Sequence, residues 1–272
     1  MTAPSRRARS ASVINIPIPM PPVCPVLLIN LAGSKDRLAT AQAEMARAGV
    51  VFERIEAVDG RLRSAEEIAR LAPWDRNAFF KALSPGEVGC YLSHLAAAER
   101  IVKEGWARAL VMEDDFRLTP EFSPTLRALM ALPEVPHLIK LEGSLSGGEV
   151  IAELASGNRL VRHRRPPVRT VALFWSLEGA RRFLDIAHPL RRPVDVQLKH
   201  WWEGDLDILA VSPPPVVQDE KHATASTIGA RRPQGFVGRL RQWRYRFIYA
   251  CASHWHLLRR RGVRGWLKAN LG

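Results

Sequence analysis

The chain is organised around one short stretch, Ala109-Leu110-Val111-Met112-Glu113-Asp114-Asp115. The first five of these residues predict a buried β-strand, and the acidic residues fall where that strand ends. Three adjacent carboxylates repel one another, so they require a cation or strong hydrogen-bond donors between them. Hard oxygen ligands of this kind suit Mg²⁺ or Mn²⁺. Taken alone, the stretch is also compatible with an acidic turn that caps the next element.

The sequence around this stretch predicts an α/β fold. Residues 26–31 and 51–55 are predicted strands, joined by a helix that begins after Ser34 and ends at Gly49, which is the spacing of a βαβ unit with a parallel sheet. Further strands are predicted at residues 137–141, 168–176 and 206–211, and residues 142–166 as a hairpin or loop. Ligands of open α/β sheets bind at the carboxyl ends of the strands, so the acidic cluster is expected at the binding edge.

A long helix is predicted immediately before the acidic strand. Ser84 is its N-cap, Pro85 takes the first helical position, and Glu87 completes a capping box, with the helix running to Glu104. Residues three and four apart share a helix face, which places Glu87 and His94 together beside the strand. We expect this pair either to orient the acidic cluster or to form a hydrogen-bonded pair in the core.

The positive charge of the chain is concentrated at its C-terminal end. The 272 residues carry a formal net charge of +13, and residues 221–272 contain 12 Lys and Arg with no Asp or Glu. Apolar residues recur there at helical spacing: Phe236, Leu240, Trp243 and Phe247. This pattern predicts a basic amphipathic helix that lies on an anionic membrane surface, or one that packs its apolar face on the body of the protein.

The sequence divides into three predicted regions. Residues 1–22 are expected to form a disordered arm, since their prolines break any helical signal segment, residues 23–228 form the globular domain, and residues 229–272 form the basic helical tail. Three widely separated cysteines indicate neither a disulfide framework nor a zinc site, which fits a reducing cytosol. No apolar run reaches the length of a spanning helix. Because the tail is basic and amphipathic, we expect a cytoplasmic protein that associates peripherally with the inner membrane.

Three separated blocks then become recognisable: residues 29–37 with 57–60, residues 83–94 with 112–115, and residues 193–195 with Gln218 and 226–228. The middle block is the most specific, because a capped helix containing Ser93-His94 leads into the acidic strand end. In order and spacing these blocks resemble glycosyltransferase family 25, the lipooligosaccharide galactosyltransferase-like family. The resemblance implies a GT-A-like fold, with a Rossmann-like sheet that binds a nucleotide sugar. It also implies a UDP-hexose donor and a lipid-linked or lipopolysaccharide acceptor.

The resemblance and the chemistry together suggest a metal site. Transfer from a nucleotide sugar expels a diphosphate, and Mn²⁺ or Mg²⁺ would stabilise the charge that develops on it. Asp115 is the first choice of ligand and Glu113 the second, with His222 from a late segment as the third. Asp114 would point to the opposite side if strand geometry continued, where it would bind ribose or sugar hydroxyls.

Donor-binding residues are expected after the first two strands. Asn30 and Arg37 follow the first strand, and Arg37 would pair with a phosphate or base edge, or else be an ordinary helix-surface charge. Asp59 ends the second strand, where it would contact a ribose hydroxyl or simply form an Asp-Gly turn. The resembling bacterial enzymes invert the anomeric centre and need a general base. Asp195 is the preferred base, with Asp114 and Glu142 as alternatives.

Two other classes of function compete with glycosyl transfer. One is a metal-dependent nuclease or phosphoryl transferase, with the basic tail on nucleic acid. Nucleic acid is not expected as a partner, because the stacking aromatics are confined to the tail and no second acidic metal motif occurs. The other is a non-catalytic, membrane-associated protein that binds a sugar nucleotide.

Overall fold

The computed structural model describes residues 24–75, 78–143, 147–219 and 235–271, with side chains up to residue 266. The strands are β1 (Val26–Asn30), β2 (Glu53–Glu56), β3 (Arg108–Glu113), β4 (Phe116–Leu118), β5 (Leu138–Lys140), β6 (Glu149–Glu153), β7 (Arg159–Arg162), β8 (Ala172–Ser176), β9 (Ile208–Ser212) and β10 (Val216–Gln218). The helices are α1 (Lys35–Arg47), α2 (Ala65–Leu71), α3 (Pro85–Glu104), α4 (Phe122–Met130), α5 (Leu177–Asp185), α6 (Val194–Lys199) and α7 (Phe236–Leu271), the last interrupted at Gly262.

Eight strands form one mixed sheet in the order β2-β1-β3-β8-β5-β9-β7-β6, and β4 pairs with β10 in a separate ribbon. Strand β1 is parallel to β2 and β3, which confirms the predicted βαβ unit. Strand β8 lies between β3 and β5 and is antiparallel to both, so the sheet as a whole is mixed. Central strands of either direction are buried on both faces, and their composition therefore does not reveal the direction. The α/β class is confirmed.

Residues 109–112 of strand β3 are all apolar because the protein has a hydrophobic core on each face of the sheet. Val111 packs in the core that includes α3, α5 and α6, whereas Met112 packs in the core that includes α1 and α4. Tyr91 of α3 and Phe183 of α5 stack in the first core, with ring centroids 5.8 Å apart. The acidic residues therefore leave the sheet at the end of a strand that is covered on both sides.

The start and the end predicted for helix α3 are confirmed. Ser84 accepts the backbone N–H of Glu87 and the Glu87 carboxylate accepts the N–H of Ser84, which completes the capping box. Gly105 ends the helix in the left-handed region at φ 64°. Helix α6 ends at Lys199, and a 3₁₀ turn follows it.

The described part of 142–166 contains the hairpin β6–β7, in agreement with the prediction. Helix α4 and the ribbon of β4 with β10 were not predicted, because short elements carry too little periodicity. The predicted arm, residues 1–22, lies outside the described residues, as does the start of the predicted tail. Helix α7 forms within that tail, and no helix among the described residues combines the length and apolar character needed to cross a membrane.

Candidate functional site

The acidic cluster lies where β3 leaves the sheet. The strand ends at Glu113, and Asp114 and Asp115 form a tight turn into β4. Because strand geometry stops there, the alternation expected for Asp114 does not hold. Arg37, from the first turn of α1, pairs with Asp114 and also lies 3.5 Å from Asp115. One guanidinium therefore faces both carboxylates, and its single charge offsets only one of their two negative charges.

Each carboxylate oxygen of Asp114 has a partner. Besides the ion pair with Arg37, Asp114 accepts a 2.6 Å hydrogen bond from Asn30 Nδ2. Arg54 in turn donates to Asn30 Oδ1 at 3.0 Å and so fixes the orientation of the amide. Burial raises the pKa of Asp114, although Arg37 and Asn30 oppose this effect. Arg54 was not predicted as a site residue, since a charged residue on an edge strand usually indicates a solvent face.

Glu113 is held from the side of α3 and from the loop before β8. His94 Nε2 lies 3.0 Å from Glu113 Oε1, and Thr170 Oγ1 donates to the same oxygen. Burial alone would raise the pKa of Glu113, but the bond and charge of His94, with Thr170 and Arg37, outweigh it and lower this pKa. His94 thus contacts the acidic cluster directly. Thr170 was not predicted, because nothing in the local sequence relates it to residue 113.

Glu87 does not join this cluster. Its carboxylate completes the capping box and accepts two hydrogen bonds, of 2.7 Å and 2.6 Å, from Lys81 Nζ. The alternative in which Glu87 and His94 pair with each other is wrong, since the partner of His94 is Glu113. Glu87 is also absent from the lining of the pocket described below, and its contacts are those of a helix cap.

Asp115 carries the feature that fits a cation best. Gln218 donates to Asp115 Oδ2 at 2.9 Å, whereas Asp115 Oδ1 is buried with no hydrogen-bond partner among the described residues. Burial, followed by the charge of Glu113, raises the pKa of Asp115 to about 6. A buried and unsatisfied carboxylate oxygen beside a second carboxylate is a donor set that Mg²⁺ or Mn²⁺ prefers. The third predicted ligand, His222, lies outside the described residues.

A second group of possible ligand atoms is less suitable. Cys90, His94 and Glu113 bring their ligand atoms within 4.8 Å of one another. Burial raises the pKa of the Cys90 thiol well above its usual range, with the nearby carboxylates adding to the effect. A thiol must lose its proton to bind a metal, so this environment opposes ligation by sulfur.

A pocket opens beside the cluster, between the ends of β1 and β2 and the face of α3. Its polar lining brings together most of the predicted donor-binding residues: Asn30, Arg37, Asp59, His94, Glu113 and Asp114. Asp59 accepts a hydrogen bond of 2.8 Å and another of 2.6 Å from the Arg61 side chain, and this pairing lowers the pKa of Asp59. The Asp59-Gly60 pair also starts a 3₁₀ turn, so both expectations for Asp59 are compatible with its position.

Backbone contacts form one wall of this pocket. A Cβ atom on Gly60 would lie 1.8 Å from the carbonyl oxygen of Pro85. A Cβ atom on Gly89 would lie 2.4 Å from the carbonyl oxygen of Val58. The segment after β2 therefore rests directly on the first turns of α3, with no room for side chains at these two glycines.

A second buried polar group lies behind the cluster. Lys140 is fully buried, donates to the carbonyl oxygens of Pro167 and Arg169, and lies 3.5 Å from Glu142 Oε1. Burial raises the pKa of Glu142 to about 7. Asp195, at the start of α6, accepts the N–H of Val196 at 2.8 Å. Burial raises the pKa of Asp195, with the positive charge of Lys140 opposing it.

Comparison with known proteins identifies the family. The family model described as "Glycosyltransferase family 25 (LPS biosynthesis protein)" matches residues 23–198. The probable inactive glycosyltransferase 25 family member 3 of Bos taurus is 32% identical over 215 residues, which are 69% of this chain and 35% of the relative. Procollagen galactosyltransferase 2 of Homo sapiens is 29% identical over 110 residues, which are 39% of this chain and 18% of the relative.

The chain spans about a third of the length of the first of these relatives. Among solved structures, a glycosyltransferase involved in glycosylation of the major capsid of PBCV-1 aligns with a TM-score of 0.42 and 10% identity. That alignment covers 83% of this chain and all of the other. On the strength of the match to residues 23–198, the chain belongs to glycosyltransferase family 25.

Proposed function

We propose that this protein transfers a hexose, galactose in the first instance, from a UDP-sugar to a lipopolysaccharide or related cell-surface glycan, with inversion and with the help of Mn²⁺ or Mg²⁺. The observation that carries the proposal is the unsatisfied Oδ1 of Asp115, whose carboxylate feels the charge of Glu113, a residue that lines the pocket beside the cluster. The galactosyltransferase relatives support the choice of sugar, and the description of the family supports the choice of acceptor.

In this proposal Asp115 and Glu113 hold the cation. When bound, the cation supplies Lewis-acid stabilisation of the departing diphosphate. Asn30, Asp59 and Asp114 offer hydrogen-bonding groups to ribose and sugar hydroxyls along the pocket. Arg37 faces two carboxylates and lines the pocket, and its guanidinium is a cationic partner for a donor phosphate.

The acceptor hydroxyl needs a base, and of the three candidates we infer that Asp195 serves as that base. Glu142 is almost completely buried, and Asp114 is engaged by Arg37 and Asn30. Asp195 is partly exposed, and its raised pKa makes it a better proton acceptor than an ordinary carboxylate. The acceptor oxygen bonds to the anomeric carbon, the bond from that carbon to the UDP oxygen breaks, and the hydroxyl proton passes to Asp195.

Release of UDP from a panel of UDP-hexoses, with a lipopolysaccharide acceptor and with or without Mn²⁺, tests the proposal. We expect Mn²⁺-dependent release with UDP-galactose, reduced at least about a hundredfold in Asp195→Asn, as is usual when an acid–base group is lost. Asp205→Asn is the matched control, because that side chain is 68% exposed and remote from the acidic cluster. Full activity of Asp195→Asn would exclude this base, and release from no donor would exclude the transferase.

A second candidate is binding of a sugar nucleotide without transfer. Several relatives carry the word inactive in their names, which is the specific observation in its favour. Calorimetric titration with UDP-galactose and Mn²⁺ separates the two. Saturable binding that needs Asp115, without UDP release in the presence of acceptor, would establish the binding protein.

A further inference from the structure

Helix α7 uses one face to pack on the body of the protein. Tyr249, Ser253 and Leu257 are buried on this face. The His256 ring stacks on Trp202 with centroids 5.2 Å apart and an interplanar angle of 4°. The Tyr245 ring meets the edge of Phe79 at 5.2 Å. The tail therefore does pack on the body, but with residues other than the apolar set that the sequence singled out.

That apolar set lies on the other side of the helix. Phe236, Leu240, Trp243 and Phe247 follow one another at intervals of four, three and four residues, which places them on one stripe. Their exposed fractions are 74%, 55%, 65% and 58%. Trp243 and Phe247 stack on each other with centroids 5.8 Å apart. We call these four residues the outer stripe. Exposed apolar patches of this kind mark an interaction surface.

Arginines flank the outer stripe on both sides. Arg239 and Arg246 lie along one edge and Arg244 lies along the other, and all three are exposed. Arg241 lies further round the helix, with its guanidinium 5.2 Å from the Trp74 ring of the body. No acidic residue occurs from residue 221 to the end of the chain. The helix therefore offers an apolar strip with positive charge on both sides, which is complementary to an anionic surface with an apolar interior.

Single-stranded nucleic acid is the other polyanion that binds aromatic and basic surfaces. Stacking on bases would use Trp243 and Phe247 but would leave Leu240 and the neighbouring exposed Val237 and Ile248 in water. A bilayer interface would bury the aliphatic and aromatic side chains alike. The composition of the stripe therefore favours lipid.

We propose that the outer stripe of α7 enters the headgroup–acyl boundary of an anionic bilayer, with the flanking arginines at the lipid phosphates. The Tyr249 hydroxyl donates to the backbone oxygen of Lys199 at 3.4 Å, which ties α7 to the helix that carries Asp195. Membrane binding of α7 would therefore place α6 on the side of α7 that faces away from the lipid, one helix diameter (~10 Å) from it. The binding itself does not depend on the proposed transfer reaction.

Cosedimentation of the full chain with vesicles tests this proposal. Vesicles of phosphatidylcholine alone are compared with equimolar phosphatidylcholine and phosphatidylglycerol at low and high salt. We expect binding to the anionic vesicles only, weakened by salt. The double variant Trp243→Glu/Phe247→Glu should lower the partition coefficient at least about tenfold, because two anchors are replaced by charges. The matched control Val51→Glu/Val150→Glu changes two exposed valines elsewhere and should bind like the wild type.

The possible results separate the proposal from its competitors. Melting temperature and UDP-galactose binding verify that the double variant is folded, and neither readout requires membrane binding. Equal vesicle binding by the double variant, or no binding by the wild type, overturns the proposal. A wild-type dimer that becomes monomeric in the double variant without vesicle binding would assign the stripe to a second copy of the chain. Tighter binding to oligonucleotides than to vesicles, lost in the same variant, would assign it to nucleic acid.

Discussion

Replacing Asp115 by Asn should stabilise the metal-free protein while it removes the response to Mn²⁺. The pKa of Asp115 rises from 3.8 to about 6 in the folded chain, mainly through burial. The folded state therefore binds the proton more tightly than the unfolded state. The resulting penalty is absent below the unfolded pKa, grows between the two values and is complete above the folded one. At 1.36 kcal/mol per pKa unit, the penalty is roughly 3 kcal/mol at neutral pH.

The Asn side chain carries no charge and avoids this penalty. Its amide oxygen can still accept from Gln218, but its NH₂ group takes the place of Oδ1 and meets no acceptor, which costs about 1 kcal/mol. The net gain is therefore about 2 kcal/mol, which corresponds to a melting temperature roughly 5 °C higher for a chain of this size. The gain should shrink as the pH falls through about 6, because the wild-type carboxyl then takes up its proton.

Thermal melts in EDTA and in Mn²⁺, recorded from acidic to neutral pH, measure both effects. The wild type should melt at a higher temperature in Mn²⁺, and Asp115→Asn should melt at the same temperature with and without it. Asp59→Asn is the control, since the Asp59 carboxylate is paired with Arg61 and not with the acidic cluster, and this variant should keep the Mn²⁺ response. A less stable Asp115→Asn in EDTA would refute the electrostatic reasoning. A retained Mn²⁺ response would refute the role of Asp115 as a ligand.

Four further substitutions probe the site and its supports. Arg37→Ala leaves two buried carboxylates without their cation and should lower the free energy of unfolding by about 2–3 kcal/mol in EDTA, partly restored by Mn²⁺, as measured by urea unfolding. Lys140→Met leaves the buried Glu142 without its positive partner and should lower the free energy of unfolding by about 3–5 kcal/mol. The double variant Lys140→Met/Glu142→Leu should regain much of this loss, and equal losses in both variants would contradict the pairing. His94→Ala removes a bond that lowers the pKa of Glu113, so the pH below which Mn²⁺ binding is lost, measured by calorimetry, should rise. An unchanged pH dependence would argue against Glu113 as a ligand. Gly60→Ala forces a methyl group onto the backbone of Pro85 and should lower the free energy of unfolding by about 3 kcal/mol. Gly33→Ala, whose methyl group would meet no atom within 4 Å, should lower it far less in the same urea assay.

Local signals in the sequence were sufficient to predict the helix and the strand that carry the site, α3 and β3. The capping box of Ser84 and Glu87 specifies the start of α3, and the apolar run of residues 109–112 specifies β3. Both signals are contained within a few residues of the chain, so they can be read without knowledge of the fold. The position of the acidic turn at the edge of the sheet follows from β3 alone.

Partners that are distant in the chain could not be predicted in the same way. Asn30 and Asp114 are 84 residues apart, and Thr170 and Glu113 are 57 residues apart. These contacts depend on strand order, and the antiparallel insertion of β8 between β3 and β5 is what brings Thr170 to the cluster. The role expected for Glu87 beside the cluster illustrates the same limit. A shared helix face does not determine which neighbour a carboxylate selects.

The contact between Gly60, Gly89 and the backbone opposite them has a consequence for specificity. Main chain touches main chain there, so the width of the neighbouring cleft is set by atoms that every amino acid possesses. Evolution can change the chemistry of that cleft by exchanging Asp59, Arg61 or His94, but it cannot adjust the gap in small steps at the two glycines. Selectivity on this side should therefore depend on which polar groups project into a space of constant size.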